Sequence, residues 1–177
     1  MSGTSSAAPQ PPARSFAIRP PRRDEAGRVW ELILELAEYE RLTHRVSGSA
    51  EAIAQALFGD PPAIECLVVE ESGVLVGYAV FYPTFSTFQA GPMMWLEDLY
   101  VDPRRRGHGI GRALLAEVAR RAVERGCGRL DWYVLDWNEP AIGFYERIGA
   151  TRIAQEWHHY GLSGRALAAA AATSEAT

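Results

Sequence analysis

A glycine-rich segment between a β-rich run and a helical pattern most constrains the fold of this chain. The run Met94–Val101 is followed by Arg106-Gly107-His108-Gly109-Ile110-Gly111, and a helical pattern extends from Gly109 to about Arg125. Glycines at alternate positions allow the backbone to approach a ligand closely. The first turn of a helix presents unpaired N–H groups and the positive end of its dipole, which together bind an anion. The segment therefore predicts a strand–loop–helix unit that holds a phosphate or pyrophosphate.

Two common phosphate-binding loops match this segment poorly. A dinucleotide-binding loop has the spacing G-x-G-x-x-G directly after its strand, whereas here Gly107, Gly109 and Gly111 alternate and residues 102–106 precede them. A P-loop needs a Gly-Lys pair, but all 18 basic residues of the chain are arginine. A glycine-rich loop with solvated arginines and no ligand is the structural alternative.

Short β-rich runs and helical patterns alternate along the rest of the chain. Runs of branched and aromatic residues predict strands, and apolar residues at helical spacing predict helices. The predicted strands are Phe16–Arg19, Ile64–Glu70, Val74–Tyr82, Met94–Val101, Leu130–Leu135, Thr151–Glu156 and Trp157–Leu162. The predicted helices begin at Asp24 or Glu25, Ala50, Gly109 and Pro140, and they end at about Thr43, Phe58, Arg125 and Ile148. This order predicts an α/β (α+β) fold with a mixed sheet of about seven strands, antiparallel in its first half.

Composition is typical of a globular protein. The chain has 177 residues, 47% of them hydrophobic and 23% charged, and its net charge of −4 argues against a nucleic-acid partner. No stretch approaches the ~18 apolar residues of a membrane span, so no membrane partner is expected. The N-terminus lacks the apolar core of a signal peptide, and Cys66 and Cys127 show no paired spacing. We therefore expect a cytoplasmic protein with free thiols.

The two ends of the chain differ from its middle in composition. Residues 1–15 are mainly Ser, Ala, Pro and Gln, and residues 164–177 are rich in Ala. Neither segment has an apolar face that could join a core, so we expect both to be disordered. One domain is predicted over residues 16–163.

The glycine-rich segment and three further runs resemble a known family. Arg106-Gly107-His108-Gly109-Ile110-Gly111 resembles the acetyl-CoA signature Q/R-x-x-G-x-G/A of the GNAT N-acetyltransferase superfamily. The resemblance covers about Phe16 to Leu162 and is closer to the diamine branch, the spermidine/spermine and thialysine N-acetyltransferases. The runs that carry the closer resemblance are Leu36-Ala37-Glu38-Tyr39-Glu40, Trp95-Leu96-Glu97-Asp98-Leu99-Tyr100-Val101 and Trp137-Asn138-Glu139-Pro140-Ala141-Ile142-Gly143-Phe144-Tyr145. It implies the GNAT fold, with helices on both faces of the sheet.

The resemblance also implies acetyl-CoA as the co-substrate. Main-chain groups of the strand Met94–Val101 would contact the pantetheine and the thioester, the glycine loop would hold the phosphates, and Asn138 would bond the pantetheine arm. The implied donor-binding residues are Leu99, Tyr100, Val101, Arg106, Gly107, His108, Gly109, Ile110, Gly111, Arg112, Asn138, Pro140, Ala141 and Tyr145. By its sequence context alone, Asn138 is equally a helix N-cap before Glu139-Pro140.

Acetyl transfer to an amine needs a neutral amine and a proton donor for the departing thiolate. The resemblance implies that Glu97 binds the acceptor amine and draws its proton through water, and that Tyr145 protonates the thiolate. As neighbours on a regular strand, Glu97 and Asp98 are expected to face opposite sides of the sheet. The structural alternatives are an exposed edge carboxylate for Glu97, a loop hydrogen bond for Asp98 and a core position for Tyr145.

The acceptor implied by the resemblance is a small cation: a diamine, a polyamine or a thialysine-like amino acid. The implied acceptor-binding residues are Tyr39, Glu40, Glu97, Asp98, Asp131, Trp132 and Tyr133. The run Arg41-Leu42-Thr43-His44-Arg45 departs from the acidic or polar residues of the family's polyamine enzymes and weakens the case for a long polyamine. The alternative acceptors are another amino acid, an aminoglycoside or a peptide amine. The alternative to an enzyme is a non-catalytic acyl-CoA-binding module.

No metal is expected, and the expected assembly is a homodimer. His158 and His159 are adjacent, and no third ligand stands at a suitable spacing for a metal. The branch that the chain resembles is dimeric, with C-terminal strands packed across the interface. Trp157, Tyr160 and Leu162 would supply apolar contacts there, unless they only close the chain's own sheet.

Overall fold

A mixed sheet of five strands organises the residues that the computed structural model describes, 15–153 and 160–172. The strands are β1 (Ala17–Arg19), β2 (Glu65–Glu71), β3 (Val74–Ser86), β4 (Gly91–Val101) and β5 (Leu130–Asp131). The helices are α1 (Ala26–Tyr39), α2 (Ala50–Phe58), α3 (Ile110–Glu124), α4 (Glu139–Arg147) and α5 (Gly164–Ala172). The strands lie in chain order, antiparallel from β1 to β4 and parallel between β4 and β5. The predicted mixed α/β class is confirmed.

The chain divides into two compact units, Met1–Leu135 and Asp136–Thr177. The first contains the whole sheet and α1 to α3, and the second contains α4 and α5. The predicted N-cap of α4 is confirmed, because the Asn138 side chain accepts a hydrogen bond from the Ala141 N–H at 3.4 Å. Gly149, with φ of +89°, follows the end of this helix, where a left-handed glycine is common.

Helices cover both faces of the sheet in the first unit. Val29 and Leu32 of α1 are fully buried against the face that carries Tyr78, Val80 and Tyr100, and α2 packs on α1. On the opposite face α3 packs on β2, β3 and β4. Both faces of β3 and β4 are therefore covered along much of their length, so these two strands form the centre of the core.

The described residues hold five strands, where about seven were predicted. The strand predicted at Leu130–Leu135 pairs with β4 only at Leu130 and Asp131. A β-bulge in β4 follows this pairing, and the ladder with β5 does not continue beyond it. Bulges locally disrupt the ladder in which they occur. Of the two predicted closing strands, residues 154–159 lie outside the described ranges, and residues 151–153 and 160–162 form no strand.

Two helix predictions also differ from the structure. The first long helix ends at Tyr39 rather than Thr43, because Arg41 adopts a left-handed conformation with φ of +61° and the Leu42 N–H donates back to the Ala37 carbonyl. Residues Gly164–Ala172 form α5 where disorder was expected, consistent with the high helix propensity of alanine.

The homodimer stays a prediction. Of the residues assigned to its interface, Trp157 lies outside the described ranges, while Tyr160 and Leu162 are 89% and 58% exposed. Within the described residues no helix is long and apolar enough to cross a membrane.

Candidate active site

A β-bulge sets the direction of two adjacent carboxylates on β4. Val80 of β3 pairs with Asp98 and the next residue along β3 pairs with Leu96, so Glu97 is the extra residue of the bulge. Glu97 accepts a hydrogen bond from Tyr82, and Asp98 accepts one from Tyr78. These tyrosines are four residues apart on β3 and share a face. The expectation that Glu97 and Asp98 face opposite sides is wrong, because the bulge shifts the alternation of side chains by one residue.

The Glu97 carboxylate lies at the exposed end of this face among aromatic side chains. Its Oε2 accepts a hydrogen bond from the Tyr82 hydroxyl at 2.9 Å and another from Trp95 Nε1 at 2.9 Å. Tyr133 packs edge-on against Trp95, with ring centroids 4.8 Å apart. Burial, and then the hydrogen bond to Glu97, raise the pKa of Tyr82 to about 12, so this hydroxyl stays a donor at neutral pH. A carboxylate beside exposed aromatic rings suits an ammonium group.

Asp98 lies deeper than Glu97 on the same face. The pKa of Asp98 is raised to about 6, mainly by burial and also by the negative charges of Glu97 and Glu40, while the hydrogen bond from Tyr78 at 3.1 Å acts in the opposite direction. Burial also raises the pKa of Glu40, which follows the last residue of α1. These three predicted acceptor residues thus form one acidic cluster in the first unit.

The glycine loop has the backbone geometry that a phosphate group needs. Gly107 and Gly109 have φ of +85° and +79°, and a Cβ atom at either position would meet no atom within 4 Å. The helix α3 begins at Ile110, so the N–H groups of Ile110, Gly111 and Arg112 have no partner within their own helix. Open space beside these N–H groups allows an anion to approach the backbone.

Not all arginines of the loop are available to an anion. Arg104 is held by Asp102, which accepts hydrogen bonds from its main-chain N–H at 2.9 Å and from its Nη2 at 2.6 Å. These hydrogen bonds lower the pKa of Asp102 to about 2. Arg105 lies 3.1 Å from a carboxylate oxygen of Glu71. Because both side chains are paired with carboxylates, the groups of the loop that remain for an anion are its main-chain N–H groups and Arg112.

Beyond the bulge, one edge of β4 carries no neighbouring strand among the described residues. The ladder with β5 ends at Trp95, while β3 pairs with the other edge as far as Val101. Main-chain groups between Glu97 and Val101 are therefore presented beside the glycine loop. This edge includes Leu99, Tyr100 and Val101, the positions assigned to the pantetheine arm, and together with the loop it suits a long donor that ends in phosphates.

Arg106 was assigned to the donor, but its side chain turns toward the acceptor side. Its Nε donates a hydrogen bond to the Val101 carbonyl at 3.0 Å, and its guanidinium lies 4.4 Å from the ring centroid of Tyr39. The ring of Tyr100 is 5.8 Å away, and the hydroxyl of Tyr100 donates to Glu35 at 3.2 Å. Arg106 therefore connects the glycine loop with the end of α1.

The other assigned residues fall in two places. Asp131 pairs with Arg129, Trp132 is half-buried, and Tyr133 is 72% exposed, all in the first unit. Asn138, Pro140, Ala141 and Tyr145 belong to the second unit, where the Tyr145 ring lies 5.2 Å from that of Phe144. The roles assigned to these residues stay predictions. Among the described residues no group of three or more His, Cys, Asp or Glu is arranged to hold a metal.

Sequence reasoning did not assign Tyr82 or Trp95 to the site. They are directly opposite each other in the ladder of β3 and β4, and both donate to Glu97. Opposite residues of antiparallel strands have neighbouring side chains. The register of β3 and β4 would therefore have identified these two residues. The alternation of apolar and polar residues does not give that register, because the bulge shifts it by one residue.

The first unit thus combines a free main-chain edge, a glycine loop at a helix N-terminus and a cluster of carboxylates, and comparisons with known proteins identify the family of the chain. The model of the acetyltransferase (GNAT) family matches residues 28–150. Thialysine N-epsilon-acetyltransferase from Sus scrofa is 37% identical over 163 residues, covering 86% of this chain and 95% of that protein. The chain therefore belongs to the GNAT family, and it is an acetyltransferase of this family, whose members use acetyl-CoA as co-substrate.

Two further comparisons extend this result. An L-ornithine N5-acetyltransferase from Arabidopsis thaliana is 29% identical over 186 residues, covering 80% of this chain and 81% of that protein. A solved integron cassette protein from the mobile metagenome of V. cholerae has a TM-score of 0.73 and 26% identity, covering 90% of this chain and 99% of that chain. The predicted GNAT fold is thus confirmed.

Proposed function

We propose that this enzyme transfers an acetyl group from acetyl-CoA to the terminal primary amine of a small cationic acceptor. The observation that carries the proposal is the Glu97 carboxylate, which Tyr82 and Trp95 hold in place through its Oε2 at the exposed end of the sheet. Two of the related proteins are named for acetylation of a side-chain amine, that of thialysine and that of ornithine.

The first task of the site is to bind the ammonium form of the acceptor. Glu97 supplies the charge, and the faces of Trp95 and Tyr133 add cation–π attraction of about 0.5–1 kcal/mol at an exposed position. Oε1 of Glu97 accepts no hydrogen bond from the described residues, so this oxygen is available to the amine or to a water beside it. Because Tyr82 and Trp95 both donate to Oε2, the carboxylate keeps one orientation.

The second task is to remove a proton from the amine. Glu97 takes it, directly or through water, and Asp98 and Glu40 add negative potential behind it. Burial raises the pKa of Asp98 to about 6, and the neighbouring charges of Glu97 and Glu40 act in the same direction, which supports this part of the proposal. A nitrogen that has lost its proton has the lone pair needed for attack.

The remaining residues position the donor. Acetyl-CoA supplies a thioester whose carbonyl carbon accepts the amine. The N–H groups of Ile110, Gly111 and Arg112 hold the phosphates, and the free edge of β4 holds the pantetheine arm. Asn138 bonds that arm, and the hydroxyl of Tyr145 gives a proton to the departing sulfur, as the family resemblance implies.

The test is a thiol-release assay with acetyl-CoA over a panel of primary amines, using the variant Glu97→Gln. Glutamine keeps the size of the side chain but cannot carry its charge. We expect a higher KM for the amine and a lower kcat. We also expect the deficit to shrink as pH rises, because a free alkyl amine with a pKa near ~10.4 then arrives more often neutral.

The matched control is Glu124→Gln, which changes a 58% exposed carboxylate on α3. This variant should retain the kinetics of the parent enzyme. A deficit in Glu97→Gln that is the same from neutral to alkaline pH would contradict the proton-transfer role. Acetyl-CoA affinity should be equal in all three proteins, since the donor contacts do not involve either carboxylate.

A further inference from the structure

The last of the three arginines before the glycine loop differs from the other two. Arg104 is paired with Asp102 at 2.6 Å, and Arg105 is paired with Glu71 at 3.1 Å. Among the residues that the structure describes, Arg106 has no carboxylate at ion-pair distance, and its Nη1 and Nη2 donate no hydrogen bond to them. The positive charge of Arg106 is therefore not neutralised by a neighbouring acid, and it is available to aromatic rings.

The contacts of Arg106 direct its side chain toward α1. Its Nε donates to the carbonyl of Val101, the last residue of β4, at 3.0 Å. Its guanidinium lies over the ring of Tyr39, the last residue of α1, at 4.4 Å from the ring centroid. This ring and that of Tyr100, whose centroid is 5.8 Å away, are both within the range of a cation–π attraction.

Tyr100 connects the same two elements a second time. Its main chain belongs to the edge of β4 beyond the bulge, and its hydroxyl donates to Glu35 of α1 at 3.2 Å. Burial, and then the negative charge of Glu35, raise the pKa of Tyr100 to about 12, so the hydroxyl remains a donor at neutral pH. Side chains from the glycine loop and from the edge of β4 thus both end on the C-terminal half of α1.

The end of α1 is a strained segment next to the acidic cluster. Arg41 has φ of +61°, a left-handed conformation that residues other than glycine rarely adopt. Such a conformation persists only where the surrounding contacts hold it in place. Burial raises the pKa of Asp98, and the negative charges of Glu97 and Glu40 add to this effect, so Glu40 lies near that carboxylate. The position of the helix end therefore decides where Glu40 stands in the cluster assigned to the acceptor.

We propose that Arg106, although it belongs to the acetyl-CoA signature, positions the acceptor. Its guanidinium holds Tyr39, and with it the neighbouring Glu40, where the amine binds. Arg106 is then a positioning residue that acts on the acceptor through the end of α1. This inference rests on the proposed function, since it takes the cluster of Glu40, Glu97 and Asp98 as the place of the amine.

The location of Arg106 has a consequence for the order of events. The residue is followed directly by Gly107, so acetyl-CoA bound at the loop fixes the backbone of Arg106 and, through its side chain, the end of α1. The amine should therefore bind more tightly to the enzyme that already holds acetyl-CoA. By linkage, the amine should tighten the binding of acetyl-CoA by the same factor.

The first test separates the two KM values in Arg106→Gln. Glutamine is the other residue of the signature at this position, and its amide can still donate to the Val101 carbonyl, but it has no charge for the Tyr39 ring. We expect the KM for L-ornithine, and in parallel for putrescine, to rise about 2- to 5-fold, the effect of one cation–π contact on an equilibrium constant. The KM for acetyl-CoA should rise less. A partly unfolded preparation lowers kcat but changes neither KM.

Three further variants assign the effect to the contact with the ring. Tyr39→Leu removes the ring and should raise the same KM, and the double variant Arg106→Gln/Tyr39→Leu should be no worse than either single variant. Arg106→Lys keeps a cation near the ring and should bring the KM for the amine back toward the parental value. The matched control is Arg105→Gln, whose arginine is paired with Glu71 and which should leave both KM values unchanged.

The second test needs no acceptor. Coenzyme A has the phosphates and the pantetheine arm of acetyl-CoA but no acetyl group to transfer. At a saturating concentration it should slow amide hydrogen exchange in residues 36–46 of the parent enzyme and of Arg105→Gln. In Arg106→Gln, saturated in the same way, this protection should be lost.

The outcomes separate this inference from the proposed function. A higher KM for acetyl-CoA with a parental KM for the amine in Arg106→Gln would overturn the inference and leave the proposed function standing. Exchange in residues 36–46 that coenzyme A does not change in the parent enzyme would overturn it as well. If Arg106→Gln unfolds, as judged by circular dichroism, Tyr39→Leu and the exchange of the parent enzyme decide. No acetylation of any amine would contradict the proposed function itself, and the inference with it.

Discussion

The guanidinium of Arg106 lies 4.4 Å from the ring centroid of Tyr39, and its Nε donates to the Val101 carbonyl at 3.0 Å. One side chain of the glycine loop is therefore in contact both with the end of β4 and with the end of α1, next to the acidic Glu40. Because the two contacts use the same guanidinium group, we expect a change at the end of α1 to alter the position of the glycine loop.

This contact predicts an energetic coupling between Arg106 and Tyr39. Arg106→Met and Tyr39→Leu should each lower the free energy of unfolding, and the double variant should lose less than the sum. The expected coupling is about 0.5–1 kcal/mol, the size of a cation–π pair near the surface. Urea unfolding of the four proteins measures it, and strictly additive losses would show that the ring and the guanidinium do not interact in solution.

The raised pKa of Asp98 predicts that the free energy of unfolding falls as the pH rises. Burial raises its pKa from the ordinary 3.8 to about 6, so the folded state binds this proton more tightly than the unfolded state does. The free energy of unfolding should therefore fall between about pH 4 and pH 6. Asp98→Asn removes the charge and can still accept the hydrogen bond from Tyr78. It should be more stable than the parent by about 1–3 kcal/mol at neutral pH, with no gain near pH 3.5.

Asp102 is the control for Asp98, because its pKa is shifted in the opposite direction. Its hydrogen bonds from Arg104 lower its pKa to about 2, so its contribution is complete above its ordinary value of 3.8 and is lost as the pH falls through about 2. Asp102→Asn should therefore be less stable than the parent at neutral pH. Urea unfolding across this range tests both residues, and a gain of stability in both variants would contradict the two pKa directions.

Substitutions at two glycines of the loop should affect stability and acetyl-CoA binding separately. Gly109 has φ of +79°, so Gly109→Ala should cost about 1–2 kcal/mol of stability through its left-handed backbone. Gly111 lies in α3, and a Cβ there would meet only Val101 Cγ2 at 3.8 Å. Gly111→Ala should therefore fold normally but raise the Kd for acetyl-CoA, if the main-chain N–H of this residue binds the phosphates as proposed.

Calorimetric titration with acetyl-CoA and thermal unfolding measure the two effects. Gly27→Ala, which places a methyl group in open space on α1, is the matched control and should leave the Kd unchanged. A parental Kd in Gly111→Ala would contradict the assignment of this loop to the phosphates.

Replacing Tyr145 should lower turnover without weakening the binding of acetyl-CoA. Tyr145→Phe removes the proposed proton donor but keeps the ring, which contacts Phe144 with centroids 5.2 Å apart. The expected fall in kcat is about 10²-fold or more, the usual effect of removing a general acid. Tyr160→Phe, at a position 89% exposed in the same unit, should have parental kinetics. Turnover that is unchanged in Tyr145→Phe would remove this residue from the mechanism.

Local features of this protein were readable in its sequence. The glycines at 107 and 109 and the cap at Asn138 depend on neighbouring residues in the chain, and the structure has each of them. The strands β2, β3 and β4 follow from runs of branched and aromatic residues, and the family follows from the runs around the glycine loop. A short stretch of chain contains all the information that such features need.

The arrangement of the acceptor face depends on contacts between distant segments. The bulge at Glu97 follows from the way β3 and β4 pair, and it places Glu97 and Asp98 on one face, just beyond the point where the ladder with β5 ends. The contacts of Tyr82 with Glu97 and of Arg106 with Tyr39 join residues 15 and more positions apart. Side-chain alternation has a period of two, so one extra residue reverses every assignment beyond it. That residue is identified only when the partner strand is in place, which is why the tertiary structure alone decided which carboxylates meet at the site.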